Sequence, residues 1–174
     1  AMMDGVIKKY GSIDILVNNA GITKDNLLMK MSEEDFDAVI DTNLKGVFNC
    51  MKHVARQMIK QRGGRIINIS SVSGVLGNAG QANYCAAKAG VISLTKSTAK
   101  AGSSKNIYCN SLCPAYTKTP LVTILTGEKE QKVLDAMSLH RAATPEEVAN
   151  SVLFLASDAA SFVQGENLNC DGGM

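Results

Sequence analysis

Short apolar segments alternate along this chain with longer segments in which apolar residues recur at helical spacing. Apolar stretches at 13–18, 65–70 and 106–113 predict three β-strands, and a final short strand is predicted at 163–169. Polar residues, together with glycine or proline, follow each of the first three stretches. That change of composition marks the ends of the predicted strands.

Helix starts are marked by N-cap residues. Ser32 has Asp35 three positions later, and Thr144 is followed by Pro145 at the first helical position. Both arrangements satisfy backbone N–H groups that the first helical turn leaves without partners. The predicted helices lie at 33–60, with an interruption near 42–43, at 83–101 and at 145–156, and a loop with a short helix fills 117–138.

Strands that alternate with long helices predict an α/β fold, a mainly parallel sheet with helices on both faces. No repeat or linker divides the sequence, so residues 1–174 are predicted to form a single domain. Ligands of such sheets bind beyond the carboxyl ends of the strands. The polar segments after three strands therefore predict one site built from distant parts of the chain.

Composition excludes several classes of function. The 174 residues carry a net charge of +2, so bulk electrostatic binding of nucleic acid or of an anionic membrane is not expected. Residues 66–87 carry no charge but contain too many polar residues and glycines for a membrane span. The five cysteines form no C-x-x-C pair, which indicates reduced thiols in a cytoplasmic protein and no metal site.

Tyr84 and Lys88 are four residues apart on one helix face. A free tyrosine has a pKa near 10, and an ammonium about 4 Å away supplies about 4 kcal/mol at an effective dielectric near 20, enough to lower that pKa by about three units. The pair could therefore act as a general acid and base. The alternative is a surface pair or a packing tyrosine, because the spacing alone is common.

Two further polar residues favour a catalytic role for this pair. Ser71 ends a predicted strand and could hold a substrate carbonyl oxygen by a hydrogen bond; alternatively it satisfies loop backbone. Asn43 lies in an apolar helical pattern, where an amide is disfavoured unless its side chain has a partner. It could equally be a solvated residue at a kink.

These residues belong to a set of motifs that together resemble the short-chain dehydrogenase/reductase superfamily, most of all the 3-oxoacyl-[acyl-carrier-protein] reductases. The resemblance covers essentially the whole chain, and the motifs are jointly specific although each is weak alone. They are Asn18-Asn19-Ala20-Gly21, Thr42-Asn43-Leu44, the strand and serines Ile66 to Ser71, Tyr84-x-x-x-Lys88 and Asp171-Gly172-Gly173.

The resemblance implies a Rossmann-like doubly wound sheet and four catalytic roles. Tyr84 would protonate a carbonyl oxygen, and Lys88 would lower the tyrosine pKa and bind the nicotinamide ribose. Ser71 would orient the substrate carbonyl, and Asn43 would hold a water of the proton relay. The implied cofactor is NADP(H) rather than NAD(H), and the remaining residues expected to border it are Asn19, Ala20, Gly21, Pro114, Thr117 and Thr119.

The family opens with a strand, a Gly-rich turn and a helix that receives the pyrophosphate, and nothing in this chain matches them. By the family pattern the chain starts in the helix before the fourth strand, so N-terminal strands 1–3 are missing and 13–18 becomes an exposed edge. The residues are then part of a longer enzyme, the favoured reading, or a truncated product. A smaller departure is Pro114-Ala115 where the family has Pro-Gly.

The function that the resemblance implies is NAD(P)H-dependent reduction of a 3-oxoacyl thioester on acyl carrier protein, in fatty-acid synthesis. Arg62 and Lys105 match basic residues that dock the carrier protein near the active-site entrance, although two solvated basic residues would look the same. Helices 33–60 and 83–101 match those that build dimers or tetramers. The alternatives are a dehydrogenase of a small secondary alcohol or 3-hydroxy acid, and a catalytically silent fragment that binds partner chains.

Overall fold

The computed structural model describes residues 2–119 and 127–174. Its strands are β1 (Ile15–Asn18), β2 (Gly64–Ile69), β3 (Ile107–Pro114) and β4 (Asn167–Cys170). Its helices are α1 (Met2–Tyr10), α2 (Glu33–Ile40), α3 (Gly46–Gln61), α4 (Ser73–Leu76), α5 (Ala82–Gly102), α6 (Glu128–Asp135) and α7 (Pro145–Ala156). Part of the loop predicted within 117–138 falls outside the described residues.

The four strands form one parallel sheet in the order β1-β2-β3-β4. Leu16 pairs with Ile66, and Ile66 pairs with Cys109, so apolar residues lie side by side across the sheet. Each strand is joined to the next by a helical connection, as a parallel pairing requires. The predicted α/β fold is confirmed.

Helices cover both faces of this sheet. Neighbouring residues of a strand point to opposite faces, so Ile66 packs into a core with α1, α3 and α5, whereas Ile67 packs into a second core with α7. Both isoleucines are at most 2% exposed. The run of apolar residues in β2 is therefore explained by burial on both sides.

The predicted helix starts are confirmed. The Ser32 hydroxyl accepts a hydrogen bond from the Asp35 N–H, and Thr144 forms a capping box with Glu147 behind Pro145. The interruption predicted near 42–43 is also present, as a π-helical turn at Asp41–Lys45 that joins α2 to α3.

The first three strands differ from their predicted bounds by at most two residues at either end, and the final strand differs more. The final strand begins at Asn167 rather than at 163, because Gly165 has a left-handed φ of 71° that interrupts the extended chain. Separate bonds hold the segment before it, among them the Asn110 amide to the Val163 carbonyl oxygen at 2.9 Å and the Gly165 N–H to the Cys109 carbonyl oxygen at 3.0 Å. The segment after β2 contains a short helix, α4, that is not among the predicted helices. Among the described residues, no helix combines the length and the apolar character needed to cross a membrane.

β1 lies at the edge of the described sheet and leaves part of one face uncovered. Ile15 and Val17 are 48% and 41% exposed, whereas Leu16 and Asn18 on the other face are buried. The apolar edge expected at 13–18 is therefore present among the described residues.

Gly74 of α4 allows that helix to lie directly on α5. A Cβ at this position would lie 2.8 Å from the carbonyl carbon of Lys88 and 2.9 Å from the Ala89 nitrogen, both of which are backbone atoms. We expect Gly74→Ala to lower the free energy of unfolding by about 1–3 kcal/mol, because backbone cannot move aside as a side chain can. Urea titration measures this change.

Gly5 supplies the matched control. It lies inside α1, and a Cβ there would have no neighbour within 4 Å. Gly5→Ala is expected to raise the free energy of unfolding by about 0.5–1 kcal/mol. An equal effect of both substitutions would contradict the role given to the α4–α5 contact.

Candidate active site

The carboxyl ends of the strands and the first turn of α5 border one cavity. Its volume is about 410 Å³, within the range of small-molecule sites. Ser71 and Tyr84 both line it, so the structure brings together two residues that lie in different predicted elements. The other lining residues are Thr23, Asp25, Val72, Ser73, Leu76, Gly77, Asn78, Gln81, Ala115, Tyr116, Val133 and Met174.

Asn83 fixes the start of α5, where Tyr84 lies. Its amide nitrogen donates to the carbonyl oxygens of Lys24 at 2.9 Å and Asp35 at 3.2 Å, and its amide oxygen accepts from the Tyr84 N–H at 2.8 Å. The side chain is fully buried, so all three bonds are shielded from water. Sequence reasoning missed this residue, although a polar residue beside the candidate tyrosine was a usable signal.

Lys88 lies one helical turn after Tyr84 and is 4% exposed. Its ammonium nitrogen donates to the carbonyl oxygen of Ile69, the last residue of β2, at 2.7 Å, and it lies 5.5 Å from the centre of the Tyr84 ring. Burial disfavours the charged form and lowers the lysine pKa to about 8. The lysine thus connects the helix to the sheet at the cavity.

The pKa of Tyr84 is raised above its ordinary value. Burial of the phenol is the main cause, and the Asp25 carboxylate raises the pKa further, whereas the interaction with the Ser71 hydroxyl lowers it. The expectation that Lys88 holds this pKa below its ordinary value is therefore wrong for the side chains as they lie here. At neutral pH Tyr84 carries its proton and can donate it.

The serines after β2 have separate tasks. Ser70 is buried, and its hydroxyl donates to the Lys88 carbonyl oxygen at 2.8 Å, which ties the sheet to the middle of α5. The Ser71 hydroxyl oxygen accepts from the Ser73 N–H at 3.1 Å. Accepting this bond satisfies loop backbone and still leaves the Ser71 proton for a group in the cavity.

Asn43 lies in the π-helical turn and is fully buried. Its amide oxygen accepts from the Ile22 N–H and its amide nitrogen donates to the Ile22 carbonyl oxygen, each at 2.8 Å. The amide thus has the partner that its burial demands, and the alternative of a solvated side chain is wrong. A Cβ on Gly21 would lie 3.3 Å from the Asn43 amide oxygen and 3.7 Å from the Lys88 nitrogen.

The residues expected to border a cofactor lie at or after the carboxyl ends of the strands, on the same side of the sheet as the cavity. Asn19, Ala20 and Gly21 follow β1 and are exposed. Pro114 ends β3, and the Thr117 hydroxyl donates to the Ala115 carbonyl oxygen at 3.2 Å. Thr119 is the last described residue of its segment.

Arg62 and Lys105 lie at the opposite ends of the strands from the cavity. Arg62 ends α3 directly before β2, and Lys105 ends the 3₁₀ turn before β3, so both lie at the amino-terminal ends of strands. Tyr84 lies in the first turn of α5, whose 21 residues span about 30 Å. Within one chain these two basic residues therefore do not flank the entrance of the cavity, and their part in docking a carrier protein stays a prediction.

Within residues 2–119 and 127–174, no group of three or more His, Cys, Asp or Glu side chains could hold a metal ion. All five cysteines are free thiols. The polar groups that line the cavity are hydroxyls, amides and the Asp25 carboxylate, with the Lys88 ammonium close to the Tyr84 ring.

The sequence matches the family described as "Enoyl-(Acyl carrier protein) reductase" over residues 1–174. It is 49% identical over 174 residues to the 3-oxoacyl-[acyl-carrier-protein] reductase FabG of Staphylococcus aureus (strain Mu50 / ATCC 700699) and covers 71% of that protein. It is 51% identical over 173 residues to the FabG of Thermotoga maritima, of which it covers 70%. It is 46% identical over 174 residues to the FabG of Vibrio cholerae, of which it covers 71%. These alignments span 100%, 99% and 100% of the present chain, respectively.

The buried ammonium of Lys88 makes stability depend on pH. The folded pKa of about 8 lies below the ordinary value of 10.5, so the unfolded chain binds this proton more tightly between those values. The free energy of unfolding therefore rises with pH, by about 2 kcal/mol between about pH 7 and about pH 10. Denaturant titration of wild type and Lys88→Met across this window isolates the contribution.

Lys96 lies on the same helix with an exposed side chain and provides the control. Lys96→Met is expected to keep the wild-type pH dependence, whereas Lys88→Met removes the rise. A Lys88→Met protein whose stability still rises as in wild type would show that burial of this ammonium carries no energetic cost.

Proposed function

This chain belongs to the short-chain dehydrogenase/reductase family of NAD(P)-dependent oxidoreductases, and on that premise we propose that it reduces 3-oxoacyl thioesters carried by acyl carrier protein, as a step of fatty-acid synthesis. The observation that carries the proposal is the meeting of Ser71 and Tyr84 on one cavity with Lys88 directly behind them. High identity to 3-oxoacyl-[acyl-carrier-protein] reductases over the whole chain supports the substrate class.

The residues present fit a nicotinamide cofactor. The exposed backbone of 19–21 lies at the carboxyl edge of the sheet, and Gly21 has no side chain to cover the space beside the Lys88 ammonium. Lys88 uses one N–H on Ile69 and keeps two for a ribose hydroxyl. When bound, the cofactor supplies the hydride, and we propose NADP(H) rather than NAD(H), with Pro114, Thr117 and Thr119 along its path.

In this proposal Tyr84 is the general acid. Its raised pKa keeps the phenol protonated at neutral pH, so it can give that proton to the carbonyl oxygen as the carbonyl carbon receives the hydride. The ketone thereby becomes a secondary alcohol and the tyrosine a phenolate. The Lys88 ammonium then stabilises the phenolate by charge attraction in a buried site.

Ser71 and Asn43 assist this transfer. The Ser71 hydroxyl donates to the substrate carbonyl oxygen and favours the negative charge that develops there. Asn43 retains one N–H and one lone pair after pairing with Ile22, which suits it to hold a water that returns a proton to the site.

The walls of the cavity suit an acyl chain attached to a polar reacting group. The hydroxyl and amide groups of Ser71, Asn78 and Tyr84 line the cavity together with apolar side chains. The apolar set consists of Val72, Leu76, Ala115, Val133 and Met174. A hydrocarbon tail gains free energy from burial against these side chains at about 25 cal/mol per Å².

Tyr84→Phe is expected to lower kcat for NADPH-dependent reduction of a 3-oxoacyl thioester by at least about 100-fold, because it removes the proton donor. The loss of NADPH absorbance measures turnover. Tyr108→Phe is the control, since Tyr108 stacks under Arg65 near the amino-terminal end of β3. Comparison with NADH tests the cofactor preference.

Three outcomes would point elsewhere. Faster turnover with a small secondary alcohol or 3-hydroxy acid would identify a dehydrogenase of such compounds. Reduction of a 2-enoyl but not a 3-oxoacyl thioester would fit the description of the matched family instead. Neither turnover nor cofactor binding would leave a catalytically silent partner-binding chain.

We propose that the protein works as a homo-oligomer in the cytoplasm, where its free cysteines stay reduced. A shallow groove between the α2–α3 segment and the middle of α5 exposes apolar surface that a second copy would bury. If the two copies pair antiparallel along α5, the end that carries Arg62 and Lys105 comes close to the cavity of the other copy. Carrier docking through these residues is therefore proposed to occur between copies.

Leu94→Asp, which adds a charge in this groove, is expected to yield monomers in analytical ultracentrifugation. Arg62→Glu with Lys105→Glu is expected to raise KM for a carrier-linked 3-oxoacyl substrate by about tenfold or more, and to leave KM unchanged when the same acyl group is on a small thiol. Lys96→Glu controls for general charge. An equal rise for both substrates would contradict docking of the carrier at these residues.

A further inference from the structure

The wall of the cavity contains a hydrogen-bonded group centred on Gln81, the residue before α5. Its amide nitrogen donates to a carboxylate oxygen of Asp25 at 2.9 Å. Its amide oxygen accepts from the Asn78 amide at 2.9 Å and from the Ser73 hydroxyl at 3.4 Å. One side chain thus joins the segment after β1 to the segment after β2.

Hydrogen bonds connect Gln81 and its partners to the two residues proposed to contact the substrate. The Ser73 N–H donates to the Ser71 hydroxyl oxygen, and the Gln81 carbonyl oxygen accepts the first helical bond of α5 from the Cys85 N–H at 2.7 Å. Tyr84 lies within that turn. A shift of Gln81 would therefore move both sides of the reacting position.

A backbone contact at the same place supports this connection. The Asn26 N–H donates to the Gly80 carbonyl oxygen at 2.9 Å, so the segment after β1 meets the residues before α5 through main chain as well. The side-chain bonds of Gln81 make that contact specific in orientation, because its amide nitrogen meets an acceptor and its amide oxygen meets donors.

We propose that Gln81 is a positioning residue that, by bridging Asp25 to Ser73 and Asn78, holds Ser71 and Tyr84 at the distance needed for proton delivery to the substrate. The inference rests on the proposed function, in which those two residues share the carbonyl oxygen. Gln81 itself forms no part of the reaction. Its effect is geometric, and a displacement of about 1 Å at a reacting position can cost on the order of a hundredfold in rate.

The bridge also holds the Asp25 carboxylate where it raises the pKa of Tyr84. The other ionisable groups that face the phenol are Lys88 and Cys85 on its own helix and Cys113 at the end of β3. Asp25 is the carboxylate among these groups. Removing its charge makes the phenolate easier to form, so Asp25→Asn is expected to move the titration of Tyr84 to lower pH.

An exchange of the two side chains gives the sharpest test. Gln81→Glu sets two carboxylates against each other and removes the donor to Asp25, so kcat is expected to fall by roughly ten- to a hundredfold. In the double variant Asp25→Asn with Gln81→Glu, the asparagine donates and the glutamate accepts. That restores a bond of the same length, and kcat is expected to return to within about threefold of Asp25→Asn alone.

Asp37→Asn serves as the matched control, since Asp37 is an exposed carboxylate on α2, away from the cavity lining. It is expected to leave kcat, KM and the pH profile unchanged. The pH profiles of kcat and kcat/KM for all variants separate positioning from stability, because a merely structural bridge would change the free energy of unfolding without shifting them.

The absorbance of the Tyr84 phenolate provides a measurement that needs no substrate. It is obtained for each variant as the difference between that protein and the same protein with Tyr84→Phe. The inference is overturned if the double variant is no better than the product of the single effects, or if Asp25→Asn leaves the Tyr84 titration unmoved. Absence of turnover in the wild type, with the expected titration shifts, would instead reject the proposed function alone.

Discussion

The attachment of α5 to the carboxyl end of β2 is the constraint on which the site depends. The Ser70 hydroxyl binds the Lys88 carbonyl oxygen, the Lys88 ammonium binds the Ile69 carbonyl oxygen, and Gly74 allows α4 to lie on the backbone of the same helical turn. These contacts concentrate on one residue of α5. They fix the rotation of α5 about its axis and its position along that axis, and therefore where Tyr84 meets the cavity.

Burial acts on the two ionisable groups of this attachment in opposite directions. It raises the pKa of the Tyr84 phenol and lowers that of the Lys88 ammonium, so each group is biased towards its uncharged form. The charge attraction between the two groups becomes strong only after the proton has left the tyrosine, because the phenol is then a negative phenolate. The site therefore holds a protonated phenol beside an ammonium group that stabilises the phenolate formed when the proton is donated. A ketoreductase needs this behaviour.

The residues around this pair differ in how well a sequence could reveal them. The spacing of Tyr84 and Lys88, and the serines after a strand, are visible because helix period and strand ends are local properties. Gln81 and Asn83 act through partners that are 56, 59 and 48 residues away in the chain, so no local pattern identifies those partners. Arg62 and Lys105 illustrate the reverse case: each directly precedes a predicted strand, so the strand pattern already places them at the amino-terminal ends, whereas the match to the family motif alone suggested the entrance of the cavity.

By itself the sequence determined the order of strands and helices, the helix caps at Ser32 and Thr144, the interruption beside Asn43 and the parallel α/β class. These follow from side-chain period, capping chemistry and chain connectivity, all of which act over a few residues. Only the tertiary structure decided the direction of the Tyr84 pKa shift and the bridge through Gln81. Those properties depend on burial and on contacts between distant segments, which arise only when the sheet brings the ends of its strands together.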